Sequence, residues 1–69
     1  MNEAKLRNRL REHRAAHGLT QEQLAERVGV TRKTINTVET GRFVPSTVLA
    51  LKLARAFGVP VETLFTLDD

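Results

Sequence analysis

Arg32, Lys33, Asn36 and Thr37 are the residues of this 69-residue chain whose types and spacing are best suited to chemistry. On a helix, positions 32, 33, 36 and 37 share one face, since residues three and four apart are neighbours. The set is one for recognition, not for bond-making. Arg and Lys donate to guanine O6 and N7, Asn pairs bidentately with adenine, and Thr offers a hydroxyl and a methyl for a thymine edge. Catalysis finds no comparable group: there is no Cys, no Gly-rich phosphate loop, no carboxylate pair on one face and no Ser–His–Asp grouping. An enzyme is therefore not expected, nor is a cofactor or small-molecule ligand. His13 and His17 stand four apart and could share a helix face, but no third ligand accompanies them. They are read as a part-buried or surface pair, with no metal.

The elements that must position these side chains are marked by dense punctuation. Gly18, Gly29, Gly41 and Gly58 each follow a segment of helical character, and Thr20, Thr31 and Ser46 each precede one. Thr20 with Gln23 three residues on forms a capping box, and Pro60 suits the first turn of a last helix. Five helices follow, over about 3–17, 21–28, 32–40, 46–57 and 60–66, with no competing strand pattern. The basic residues Lys5, Arg7, Arg9 and Arg11 alternate with period two; on a helix they spread round the cylinder as a solvated face. The expected fold class is all-α, a single domain over 1–69.

The apolar positions fit one shared core. Leu6 and Leu10 recur on helix 1, Leu24, Ala25 and Val28 on helix 2, and Ile35 and Val38 on helix 3. Leu49, Ala50, Leu53, Ala54 and Phe57 mark helix 4, and Leu64 and Phe65 the last. Leu19, Val30, Val44 and Val59 lie between helices and are expected to plug gaps, leaving no apolar stripe for a membrane or cofactor. No apolar run reaches the ~20 residues of a membrane span. The N-terminus lacks the apolar stretch of a signal peptide, so a soluble cytoplasmic protein is expected. Net charge is +3, distributed as +4 over residues 1–42 and −1 over 43–69, a modest pointer to a polyanionic partner.

Residues 21–40, QEQLAERVGVTRKTINTVET, carry the functional reading. Two short helices crossing steeply need a small side chain at the crossing, Ala25, and a glycine where the chain reverses, Gly29. They also need apolar brackets, supplied by Leu24, Val28, Val30, Ile35 and Val38. This is a helix-turn-helix pattern, and its second helix keeps a free polar face. The N-termini of both helices present N–H groups and partial positive charge, which suit phosphate.

From about Asn8 to Phe65 the chain resembles the phage Cro/repressor-type, or xenobiotic-response-element, helix-turn-helix family. The matching strings are GLTQEQLAERVGVTRKTINTVETGR, then PS before helix 4, then LARAFGVPVETLF, all in one register. The resemblance implies a five-helix lambda-repressor-like domain that binds double-stranded operator DNA, in a prokaryotic or phage-encoded regulator. It implies that Gln21 contacts a phosphate and braces Arg32 as first base reader, with Lys33, Asn36 and Thr37 beside it. Thr31 and the segment Thr40, Gly41, Arg42 and Phe43 would lie along the DNA backbone. Arg14 and Glu39 would form a largely buried structural ion pair, which assigns Glu39 to structure although it sits in the reading helix.

Two positions depart from the family pattern. Thr40 stands where Asn is usual, which weakens the backbone contact expected there, and His13 occupies a core-facing position more often held by leucine. One short helix reads few base pairs, so a homodimer repressing from a palindromic operator is expected, with Val61, Leu64, Phe65 and Leu67 as candidate dimer surface. The alternative is a protein-interaction module on the same scaffold, an antitoxin or antirepressor. Only Thr66, Leu67, Asp68 and Asp69 follow the last helix here, which disfavours a toxin-wrapping tail.

Overall fold

The structure, a computed structural model, describes residues 4–68. Its elements are β1 (Lys5–Asn8), α1 (Leu10–Ala16), α2 (Gln21–Val28), α3 (Arg32–Glu39), α4 (Thr47–Phe57), α5 (Val61–Leu64) and β2 (Phe65–Asp68). Local signals place the middle of the chain. Thr20 Oγ1 accepts from the Gln23 backbone N–H while Gln23 Oε1 accepts from the Thr20 N–H, closing the capping box at α2. Thr31 and Ser46 cap α3 and α4 through the backbone N–H groups of Thr34 and Leu49. Each such cap is worth about 1 kcal/mol. Gly29 ends α2 at φ +75°, a left-handed conformation that a side chain strains, and the chain reverses there into α3.

The ends of the chain correct the all-α expectation. The helix expected over 3–17 begins only at Leu10, and the last helix, expected over 60–66, stops at Leu64. Residues 5–8 and 65–68 are strands instead, paired antiparallel with Lys5 opposite Asp68, Leu6 opposite Leu67, Arg7 opposite Thr66 and Asn8 opposite Phe65. The period-two alternation of Lys5, Leu6, Arg7 and Asn8 is thus a strand pattern: Lys5 and Arg7 are exposed, while Leu6 and Asn8 are half-buried.

Asn8 makes the switch from strand to helix. Its Oδ1 accepts from the Leu10 N–H at 3.3 Å, and its Nδ2 donates to the Val38 carbonyl at 3.0 Å. The Arg9 N–H donates to the Leu64 carbonyl at 2.8 Å, joining the two ends of the fold. A helix continued back through residue 5 would forfeit these bonds and the ladder to β2.

The five helices share one core of Leu10, Leu24, Ala25, Val28, Ile35, Val38, Leu49, Leu53, Ala54, Phe57 and Leu64. Leu19, Val30, Val59 and Phe65 pack against it from the side. Val44 does not plug a gap; it is exposed, as are Phe43, Val48, Leu51 and Leu67, so apolar surface is left over after all. Leu64 is buried in the monomer and Val61 and Phe65 are half-buried against the core. Of the candidate dimer surface, Leu67 alone stands free. Among the described residues, no helix is long and apolar enough to cross a membrane.

Candidate nucleic-acid interface

The α2–α3 pair is held from beneath. Ile35 and Val38 turn into the core against Leu24, Ala25 and Val28, which orients the opposite face of α3 outward. Under the C-terminal turn of α3 the Glu39 side chain, 3% exposed, meets the Arg14 guanidinium of α1, 15% exposed. Arg14 Nε donates to Glu39 Oε2 at 2.6 Å and Nη2 donates to Oε1 at 3.2 Å, a bidentate pair. Arg14 Nη1 donates to the Leu19 carbonyl at 2.9 Å, so one guanidinium ties α1, the α1–α2 turn and α3 together. The hydrogen bond to Glu39 raises the Arg14 pKa above its ordinary value against the opposing effect of burial, so this cation stays charged.

The network continues to the surface through Gln21. Its Nε2 donates to Glu39 Oε1 at 3.0 Å and to Asn36 Oδ1 at 3.2 Å. Gln21 and Arg32 line one shallow depression, with Arg14, Thr20 and Glu22 around it. The Gln21 amide is hydrogen-bonded to Asn36, however, and that orients the Asn36 side chain directly. The chain from Arg14 through Glu39 and Gln21 to Asn36 therefore couples a buried ion pair to an exposed polar tip.

On the outer face of α3, Arg32, Lys33 and Asn36 are exposed and Thr37 is half-buried. Thr37 Oγ1 donates back to the Lys33 and Thr34 carbonyls at 3.1 and 3.0 Å. Its hydroxyl proton is occupied, so what it offers outward is a methyl and an accepting oxygen. Arg42 lines a shallow depression with Lys33, Thr34, Thr37 and Phe43, bringing a third cation beside Arg32 and Lys33 on the outer face of α3. The loop is wound tightly there: the Arg42 and Phe43 N–H groups both donate to the Thr37 carbonyl, and Gly41 permits this at φ +77°.

The flanking hydroxyls serve the helix first. Thr31 Oγ1 accepts from the Thr34 N–H and hydrogen-bonds Thr34 Oγ1 at 3.1 Å. Thr40 Oγ1 donates to the Asn36 carbonyl at 3.0 Å, and its proton is spent within α3. The residue that sequence reasoning missed is Asn8, which is tied to α3 through the Val38 carbonyl; its polar type in the half-buried register of β1 was the available signal. The two histidines pack at a tilt against Phe57, with ring centroids 6.0 Å away for His13 and 4.9 Å for His17. His17 Nδ1 is also 2.8 Å from the His13 carbonyl. Among the described residues no three His, Cys, Asp or Glu cluster as metal ligands.

The comparisons with known proteins agree with this geometry. A helix-turn-helix family model matches residues 10–64, from the first residue of α1 to the last of α5. A helix-turn-helix-type transcriptional regulator of Methanothermobacter thermautotrophicus is 55% identical over 65 residues, covering 93% of this chain and 94% of that one. The regulator YgzD of Bacillus subtilis is 45% identical over 64 residues, covering 93% and 97%. Among solved structures, the restriction-modification controller protein C.AhdI of Aeromonas hydrophila superposes with a TM-score of 0.76 at 44% identity. That match covers 80% of this chain and 83% of C.AhdI. With the α2–α3 pair, the buried brace and relatives matched over nearly their whole length, the chain belongs to the Cro/C1-type, or xenobiotic-response-element, family of helix-turn-helix transcriptional regulators.

Proposed function

We propose that this regulator acts as a repressor in a prokaryotic or phage-encoded setting, in the cytoplasm, reading a palindromic operator as a homodimer through α3. The observation that carries the reading is the exposed set Arg32, Lys33 and Asn36, with Thr37 and Arg42 beside it, on a helix braced by a buried ion pair. Arg32 and Lys33 reach guanine O6 and N7, and Thr37 presents its methyl to a thymine. Asn36, held by Gln21, is pre-oriented for an adenine edge. Gln21, Thr31 and Arg42 serve the phosphates, with the α2 N-terminus adding its partial positive charge. Thr40 contributes its backbone more than its hydroxyl.

A single α3 spans too few base pairs for useful selectivity. Two copies on half-sites about one helical turn, ~34 Å, apart would read enough sequence, and occupancy of a promoter would repress it. The test is a genomic binding selection followed by footprinting at moderate salt. A defined, two-fold symmetric protected sequence is the expected result; uniform salt-sensitive binding to all DNA would overturn the reading. The site assignment is checked in the same assay. Arg32→Ala should relax preference at one base pair, whereas Gln21→Ala should weaken binding to all sequences and also loosen preference at the base pair facing Asn36.

A further inference from the structure

Residues 43–69 hold two cationic side chains, Lys52 and Arg55, and both line one depression of about 620 Å³ between α2 and α4. Arg27 of α2 is a third cation on its rim, and Glu26 is the one carboxylate. Buried Val28 and half-buried Ala56 supply its apolar part. Arg27, Lys52 and Arg55 are exposed, and among the described residues none is ion-paired. The helix ends do not account for them. Arg27 and Arg55 stand in the last turns of α2 and α4, but backbone N–H groups already close the carbonyls there. Gly29 and Val30 donate to Ala25, Gly58 to Arg55 and Val59 to Ala54. Lys52 lies more than one turn before the end of α4. The depression shares no residue with those that hold Gln21 and Arg32 or Lys33, Thr37 and Arg42, so it is set apart from the outer face of α3.

We propose that this depression docks an acidic segment of a partner protein, with carboxylates on Arg27, Lys52 and Arg55 and an apolar side chain against Val28 and Ala56. Charge selects the partner's chemistry. Three cations against one carboxylate leave an excess of two positive charges around a single depression, and the complementary surface is anionic. Two of the three cations are guanidiniums, whose planar forks take carboxylates bidentately, and clustered Arg is a recurring reader of acidic motifs. Shape selects a peptide over a small anion. The depression is shallow and would leave a small ligand largely in water, whereas ligand pockets bury most of theirs. The apolar part selects a peptide over a second stretch of DNA, whose backbone offers phosphate and sugar. With the outer face of α3 left free, such a partner fits on the protein while that face is occupied.

The test titrates a probe peptide, EDLEDLE blocked at both ends, into the isotope-labelled full chain at low salt and follows the backbone amides by NMR. Amides of residues 26–29 and 52–56 should shift, with a Kd of ~1 mM or tighter that weakens as salt is raised. The same peptide with lysine at every acidic position should shift none of them. Combining Arg27→Glu, Lys52→Glu and Arg55→Glu should weaken probe binding at least about tenfold. Helical circular dichroism should not change, because all three side chains already face water. Glutamine at the same three positions keeps the test open should the glutamates unfold the chain. That triple glutamine variant should bind duplex DNA with an unchanged dependence on salt, since none of the three side chains meets a phosphate.

Shifts confined to α3 and Arg42 would mean that the probe only imitates DNA, and they overturn the proposal. So does the absence of shifts at millimolar probe, or binding that survives the triple substitution. A shallower salt dependence of DNA binding in the triple glutamine variant assigns the depression to the duplex and overturns it as well. Glutarate is the control for size: equal shifts at equal concentration would reassign the depression to small dicarboxylates. The peptide titration needs neither a known operator nor a known number of copies, so the proposal stands or falls apart from the operator reading.

Discussion

The α2–α3 pair begins and ends on its own residues, whereas the sheet of β1 and β2 joins segments from opposite ends of the chain. In the pair, Thr20 and Gln23 cap α2, Gly29 ends it and Thr31 opens α3, each through bonds spanning a few residues. In the sheet, Lys5 lies opposite Asp68 and Asn8 opposite Phe65, and neither strand has a reason to be extended without the other. The pair presents chemistry and is stiffened by a buried charge. The sheet presents none and serves as a clasp, through Asn8 on Val38 and Arg9 on Leu64. Helix α3 is thus stabilised from two directions, by a charged brace at its C-terminal turn and by a polar clasp one residue earlier.

The comparison can be broken most forcefully at the brace. Glu39→Ala leaves Arg14 with its guanidinium mostly buried and unpaired and should cost ~3–5 kcal/mol in chemical denaturation, enough to threaten folding in a domain this small. Glu39→Gln keeps an acceptor for Arg14 and should cost less; equal losses would mean that packing, not charge, makes the site. A smaller effect, on binding alone, is expected at the outer face. Arg32→Ala should lower affinity for the preferred operator by ~1–3 kcal/mol in titrations while changing stability by no more than about 0.5 kcal/mol. A large stability loss there would show that the outer face of α3 is not free of structural duty.

The clasp comes next. Asn8→Ala removes two part-buried hydrogen bonds and should cost ~1–2 kcal/mol, lowering hydrogen-exchange protection in β1 and β2 before it does so in α2 and α3. A loss matching that of Glu39→Ala would erase the distinction between brace and clasp. The smallest effect belongs to Thr20→Ala, about 1 kcal/mol from the lost cap, with the α2 N-terminus fraying first.

The same contrast explains what was legible before the structure. Capping residues act within one turn, so the three middle helices and the position of α3 follow from Thr20, Gly29, Thr31, Ser46 and Gly58 alone. The buried stripe followed from spacing, and Ile35 and Val38 inward left Arg32, Lys33 and Asn36 outward. The terminal strands were misassigned to helix because Leu6 and Leu10 stand one helical turn apart, while the partner that makes residues 5–8 extended lies beyond residue 64. The exposure of Val44, Val48 and Leu51 was hidden for a related reason: an apolar residue does not announce whether its own chain will cover it.

Local chemistry in this sequence therefore settles the helix-turn-helix, its caps, its inward and outward faces and the identity of the side chains on the outer face of α3. Tertiary structure alone decides that Gln21 links Glu39 to Asn36, that Thr37 and Thr40 spend their protons on the backbone, and that the two ends of the chain close as a sheet. The division follows from range. Caps and helix periodicity act over three or four residues and are written in consecutive positions, whereas ladders, side-chain relays and uncovered apolar surface depend on which distant residues the completed fold brings within a few ångströms.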